Sequence, residues 1–205
     1  MLKYDQKYII FDAETEGLNL RYSRPWELSY LIAQGNSVIR KKQLYIDIEG
    51  LCLKPFIKKL CGFDQKLFDQ NKIAPDKAWD EFKELLYDPS YKLVGQNILK
   101  YDIHILAVLA EICGEDIDFS FIDRILDTRP LALAEKNNLE KPRKGDIVQW
   151  QYKVLNDRSL KGRVSQKMLL KYFGIEHDEG LLHNGLYDCE MTWEIFKQLR
   201  KILEL

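Results

Sequence analysis

Asp12 and Glu14 stand two positions apart in the stretch IIFDAETEGLNL, residues 9–20, and Glu16 adds a third carboxylate. On an extended strand residues i and i+2 project to one face, so the first two would lie side by side while Phe11 and Ala13 turn away. Carboxylates held that close repel. They are tolerated when solvated at a turn, when a Lys or Arg lies opposite, or when a metal ion sits between them. A further acid, Asp102, ends VGQNILKYD (94–102), in which an apolar run passes through a loop carrying Asn97 to the start of a helix. A negative charge is favoured there by the helix dipole, so Asp102 could be a cap as readily as a ligand. HNGLYD, 183–188, sets His183 just ahead of a last helix and Asp188 in its first turn, positions also open to purely structural roles.

A scaffold must bring these three stretches together. KYIIF at 7–11 reads as a short β-rich run, and LSYLIAQ (28–34) and SVIRKKQLYID (37–47) as two more, the last two joined by a tight hairpin at Gly35-Asn36. DKAWDEFKELLYD, 76–88, gathers Ala78, Trp79, Phe82, Leu85 and Leu86 on one helical face with Pro75 just ahead of it. KLVGQ is expected to be a strand. DIHILAVLAEIC is expected to be a helix, with Ile103, Leu106, Ala107 and Ala110 at helical spacing. FIDRILDT could add a strand, and 165–173 and 186–203 read as helices, the last with Leu186, Met191, Trp193, Ile195, Phe196 and Leu199 to bury. Strands first as a meander and then alternating with helices imply an α/β fold, a mixed sheet of antiparallel then parallel strands flanked by helices.

With 205 residues, 46% of them apolar, the chain can bury one sizeable core, and a single domain is expected. Thirty-one basic and 32 acidic residues nearly cancel, which excludes a polycation that coats nucleic acid; any such partner must be held by a local patch. The best candidate patch is 136–167, with nine Lys or Arg against three acids and Trp150 and Tyr152 interleaved. It could hold phosphates and stack bases, or be a solvated hairpin in which DIVQWQYKV alternates toward a core. In the first case Lys141, Arg143 and Lys144 are expected to carry the salt dependence of binding. Four cysteines without Cys-x-x-Cys spacing suit a reducing cytoplasm, and no apolar stretch suggests a signal peptide or a membrane span. A soluble, cytoplasmic protein is expected.

Taken in order, FDAETEGL, GQNILKYD and HNGLYD resemble the motifs of the DEDDh exonuclease family, whose proofreading type is the epsilon subunit of bacterial replicative polymerases, and the likeness spans essentially the whole chain. It implies a ribonuclease H-like fold, one exonuclease domain over 1–205 with a basic insertion around 136–167, and a 3′–5′ exonuclease releasing 5′-mononucleotides. Position by position, Asp12, Glu14, Asp102 and Asp188 would be the metal-binding acids and His183 the general base. Asn184 occupies the place of the tyrosine in the related group, so the histidine group is the better match. Thr15, Gly17 and Leu18, with Asn97, would contact the terminal nucleotide, although Leu18 could equally be core. Four residues separate Asn97 from Asp102 where the epsilon type has three, a spacing similar to that of oligoribonucleases. His104 and His177 match no motif and are assigned to structure or surface. Hard oxygen ligands select two Mg²⁺ or Mn²⁺ over zinc, and a neutral His183 taking a proton from water would make activity rise with pH. The expected partner is a single-stranded nucleic acid, DNA ahead of RNA, with a polymerase or replication protein as a further candidate and no membrane. The rival readings are an exoribonuclease and a non-catalytic nucleic-acid-binding module.

Overall fold

The computed structural model describes residues 5–142 and 146–204. Its centre is a six-stranded sheet in the order β4-β3-β2-β1-β5-β6, formed by β1 (Lys7–Thr15), β2 (Pro25–Gln34), β3 (Ser37–Ile46), β4 (Lys72–Ile73), β5 (Tyr91–Gly95) and β6 (Ile125–Asp127). β1, β2 and β3 make the antiparallel meander, with Gly35 and Asn36 turning the chain between paired Gln34 and Ser37. β5 joins β1 in parallel, β6 joins β5 in parallel, and the two-residue β4 pairs with β3 at the other edge.

Eight α-helices are described: α1 (Pro55–Leu60), α2 (Gln65–Asn71), α3 (Pro75–Tyr87), α4 (Asp102–Ile112), α5 (Thr128–Lys136), α6 (Ile147–Asn156), α7 (Gln166–Tyr172) and α8 (Gly185–Ile202). The alternation of β1 sorts them to two faces. Ile9, Phe11 and Ala13 join Trp79, Phe82, Ile103 and Leu106 from α3 and α4, whereas Tyr8 and Ile10 join Leu131, Leu169, Trp193 and Phe196 from α5, α7 and α8. Each fully buried large apolar side chain contributes about 1.5–3 kcal/mol. Pro75 opens α3, where its missing N–H has no partner to lose, and Ala78, Trp79, Phe82 and Leu86 are the buried stripe. None of the described helices is long and apolar enough to cross a membrane.

Three expectations need correction. β1 extends past the run at 7–11 to Thr15, because β2 continues to pair with it through Glu14 and, after a register shift, at Thr15. In FIDRILDT only Ile125–Asp127 is a strand; Asp118 caps a 3-10 helix over Phe119–Arg124, and Arg124 donates to the carbonyls of Asp88 and Tyr91 at 2.8 and 2.9 Å. The segment expected as a hairpin is α6, capped by Asp146, whose Oδ1 accepts from the backbone N–H groups of Val148 and Gln149. Its aromatics turn inward: Trp150 packs on one core cluster, and Tyr152 packs on the other. Arg143 and Lys144 lie outside the described residues.

The outer edge of β3 meets β4 only at Tyr45 and Ile46. Along the rest of that strand Arg40 and Lys42 pair with Glu81 of α3, while Lys41 pairs with Glu190 of α8.

Candidate active site

β5 pairs with β1 only from Lys7 to Ile10, so beyond Ile10 that edge of β1 is left for other groups. Gly95 makes the close approach possible. A Cβ there would lie 2.9 Å from the Phe11 carbonyl and run into Ile98. The chain turns at Asn97, which has φ 68°, and enters α4 at Asp102. Asp102 does not cap its helix; its Oδ1 accepts the free backbone N–H of Ala13 at 3.0 Å, stitching α4 to the strand between Asp12 and Glu14.

Asp12 and Glu14 project toward the face covered by α8, and the first turn of α8 brings Asp188 to them. Oxygens of Asp12, Glu14 and Asp188 all lie within 4.8 Å of one another. Asp102 is not in that threesome but raises the pKa of Asp12 by its charge. Asn184 caps α8 by accepting from Tyr187 N–H at 3.2 Å, and His183, at φ 73°, donates its backbone N–H to Asp188 Oδ2 at 3.1 Å. The His183 side chain is exposed. Asp188 Oδ1 is buried without a partner among the described residues.

The three carboxylates of the opening motif meet different fates. Glu16 is paired with Arg24, Nε to Oε1 at 2.6 Å and Nη2 to Oε2 at 2.9 Å, and this bonding holds its carboxyl below the usual range. No Lys or Arg pairs with Asp12, Glu14, Asp102 or Asp188 among the described residues. Burial pushes Asp12 well above the ordinary carboxylate range, with the charges of Asp102 and Glu14 adding to it. Burial and then the charge of Glu27 lift Glu14 to about 8, and burial carries Asp102 and Asp188 to about 7. Such a cluster holds either protons or a multivalent cation near neutral pH. The all-oxygen donor set and the unpartnered Asp188 oxygen fit a hard divalent ion.

Sequence reasoning missed the residues that hold this cluster. Glu27, opposite Glu14 in the β1–β2 register, is 2% exposed and accepts from Ser29 Oγ at 2.7 Å. It packs against Gly185, the first residue of α8, where a Cβ would collide with Glu27 and lie 3.2 Å from Ser29 Oγ. Gly185→Ala should therefore cost about 1–3 kcal/mol and lower Mn²⁺ affinity by displacing Asp188, as urea unfolding and calorimetry would read; an unchanged affinity would mean that α8 does not need this contact. Asp127 is fully buried and accepts the N–H groups of Asn97 at 2.8 Å, Leu99 at 3.0 Å and Arg129 at 2.9 Å. Gln151 of α6 completes it, taking Asp127 N–H at 2.7 Å and donating to the Ile125 carbonyl at 2.9 Å. The available signals were a Glu inside the apolar run WELSYLIA and an Asp-Thr at a strand end.

The other candidates divide. Thr15 Oγ1 and the Tyr101 hydroxyl lie 2.7 Å apart and both reach the Gly17 carbonyl, Tyr101 donating at 2.8 Å, so Thr15 and Gly17 frame the loop beside the acids. Leu18 is not core; it is 89% exposed. Asn97 buries its Oδ1 without a partner among the described residues. His104 is exposed on α4, and His177 binds the Ile175 carbonyl at 2.9 Å.

Solved structures share this architecture. Exonuclease I of E. coli in complex with a dA16 oligonucleotide superposes with a TM-score of 0.73 at 14% identity, over 96% of this chain and 41% of that one. The zinc-bound form of the E. coli Exonuclease I complex with single-stranded DNA gives 0.73 at 15%, over 98% and 41%. The moderately thermophilic Exonuclease I of Methylocaldum szegediense gives 0.69 at 15%, over 95% and 40%. At these identities the likeness concerns the fold, which is ribonuclease H-like as expected, and the chain spans about two fifths of the length of those proteins. No curated protein matches the sequence. Residues 9–196 match the family model RNase_T, described as Exonuclease, and the chain belongs to this family of DEDDh-type, metal-dependent 3′–5′ exonucleases.

Proposed function

We propose that the protein removes 5′-mononucleotides from the 3′ end of single-stranded DNA with two divalent ions, Mg²⁺ or Mn²⁺. The observation that carries this reading is the convergence of Asp12, Glu14 and Asp188 around a buried, unpartnered oxygen of Asp188 in a chain of this family. These three acids, with Asp102 beside them, would hold the ions. Bound there, divalent cations lower the pKa of water and stabilise charge on the leaving oxygen. His183, tethered by its backbone to Asp188 and exposed at the side chain, takes the proton from the attacking water. Water adds to phosphorus, the P–O3′ bond breaks, and solvent returns a proton to the 3′ oxygen of the shortened strand. The Thr15–Tyr101–Gly17 frame holds the loop from which Leu18 stands free to lie against the terminal base. DNA is favoured because the Exonuclease I structures of the same fold hold DNA oligonucleotides.

The test is digestion of matched 5′-labelled DNA and RNA oligonucleotides with Mn²⁺ present. A ladder shortening from the 3′ end, faster on DNA, is expected. Internal cuts or an untouched oligonucleotide would overturn the activity, and faster loss of the RNA would overturn the substrate.

A further inference from the structure

The stretch joining α6 to α7 is fastened to the acid site at two points. Gln96, just past the end of β5, donates Nε2 to the Val164 carbonyl at 2.7 Å, and Gln166 donates Nε2 to the backbone carbonyl of Asp188 at 2.8 Å and to Thr192 Oγ1 at 3.0 Å. Residues 164–166 thus lie between the end of the strand that leads to Asp102 and the helix turn that carries Asp188. Upstream the same stretch is bound to α5: Asn137 donates to the Lys161 carbonyl at 2.9 Å and accepts its N–H at 3.2 Å, and Lys136 Nζ donates to the Arg163 carbonyl at 3.0 Å. The main chain is therefore held firmly.

Its cationic side chains are not held. Arg158, Lys161 and Arg163 are exposed, and among the described residues none of the three makes an ion pair or a side-chain hydrogen bond. Lys167, at the start of α7, is different, since Glu179 already pairs with it at 2.8 Å. Lys141 is different again, because its Nζ is bound to the Glu204 carbonyl just past the end of α8. On a backbone held this way, three cations without ion-pair partners among the described residues are charges that the fold itself does not use. Arg163 adjoins Val164, which Gln96 holds at the end of the strand leading to Asp102, and Lys161 lies farther back at the end of α5; exposed cations leading toward acids that repel an incoming phosphate are what draws a polyanion in.

We infer that Arg158, Lys161 and Arg163 form the track for the sugar-phosphate backbone of the single strand leading to the acids. This rests on the function proposed above and deepens it by assigning the surface that the strand follows. A polyanionic strand is the occupant that fits, since the three exposed cations fall within one short stretch of chain and complement successive phosphates.

The test compares the triple variant R158Q/K161Q/R163Q with a control, K7Q/K92Q/K201Q, which removes the same charge at the starts of β1 and β5 and the end of α8. Binding of labelled single-stranded DNA is followed across a salt series on an Asp12→Asn background. With about 0.7 counterions released per neutralised phosphate of a single strand, the first triple should flatten the log–log salt slope by about 2, and the control should leave it as it is. Mn²⁺ affinity by calorimetry, equal to that of the parent, establishes that the acid cluster of the first triple is intact. An unchanged slope in the first triple, or equal flattening in both, overturns the track. If the parent binds the strand on a steep slope, loses it in the first triple and yet never shortens DNA or RNA with Asp12 present, the track stands and the exonuclease reading fails.

Discussion

Asp12→Asn should yield a protein that is more stable than the parent without metal at pH 8 and nearly inert as a nuclease. The acids at the site have pKa values raised in the folded state, to about 7 for Asp102 and Asp188 and about 8 for Glu14, and burial raises Asp12 well above the ordinary carboxylate value. The native state therefore binds more protons than the unfolded chain above pH 4. The stabilisation linked to those protons is complete below the unfolded value near 4 and is lost as the pH climbs through 7 and 8. Metal-free protein should melt at progressively lower temperature from pH 5 to pH 8.5. Mn²⁺ should restore the loss, more strongly the higher the pH. Removing the Asp12 charge relieves part of the repulsion, about 1–2 kcal/mol or roughly 5 °C in Tm at pH 8, while activity falls by about three orders of magnitude, as when a charge-stabilising group is removed from a reaction centre. Differential scanning fluorimetry across pH, with and without Mn²⁺, reads the first part. A parent Tm that rises over that window without metal would contradict the account of the cluster.

Asp127→Ala should be the most destabilising single change near the site. It leaves the N–H groups of Asn97, Leu99 and Arg129 without their acceptor, each loss costing about 1–3 kcal/mol, so about 3–9 kcal/mol in all. The damage is directional as well. Asn97 and Leu99 belong to the turn that delivers Asp102, and once that turn is loose, the Asp102 bond to Ala13 has nothing behind it. Mn²⁺ affinity should fall even at temperatures where the variant is fully folded. Asp127→Asn, which keeps one acceptor oxygen, should lie between variant and parent in both readouts. Less than about 1 kcal/mol lost on chemical denaturation of Asp127→Ala would remove this residue from the frame.

The acids were legible because chemistry and spacing were both local: Asp-x-Glu on a strand, Asp at a helix start, His and Asp around another. What sequence alone left open was which negative charges had partners. Glu16 looked like a third member of the cluster, yet Arg24, eight residues on, neutralises it through a fold in the chain. Glu27 was hidden for the opposite reason, since only the register against Glu14 reveals that it is buried beside the site. The misreading of 147–156 has a similar cause. Val148, Trp150, Tyr152 and Val154 alternate like a strand, and the helical stripe is obscured because its central inward position is the polar Gln151, there to serve Asp127. Asp146 was the overlooked signal of a helix start. Leu18 could not be assigned from its type alone; packing leaves it outside.

The uncovered margin of the sheet beyond Tyr45 has a colloidal consequence. A second copy of the molecule trying to continue the β-structure there would bring Arg40, Lys41 and Lys42 of both copies face to face. Because Glu81 and Glu190 anchor those side chains to helices on opposite faces, they cannot simply swing aside to admit the newcomer. The strand thus carries its own guard against fibre-like stacking in a crowded solution, and the guard is made of the same contacts that hold the layers together.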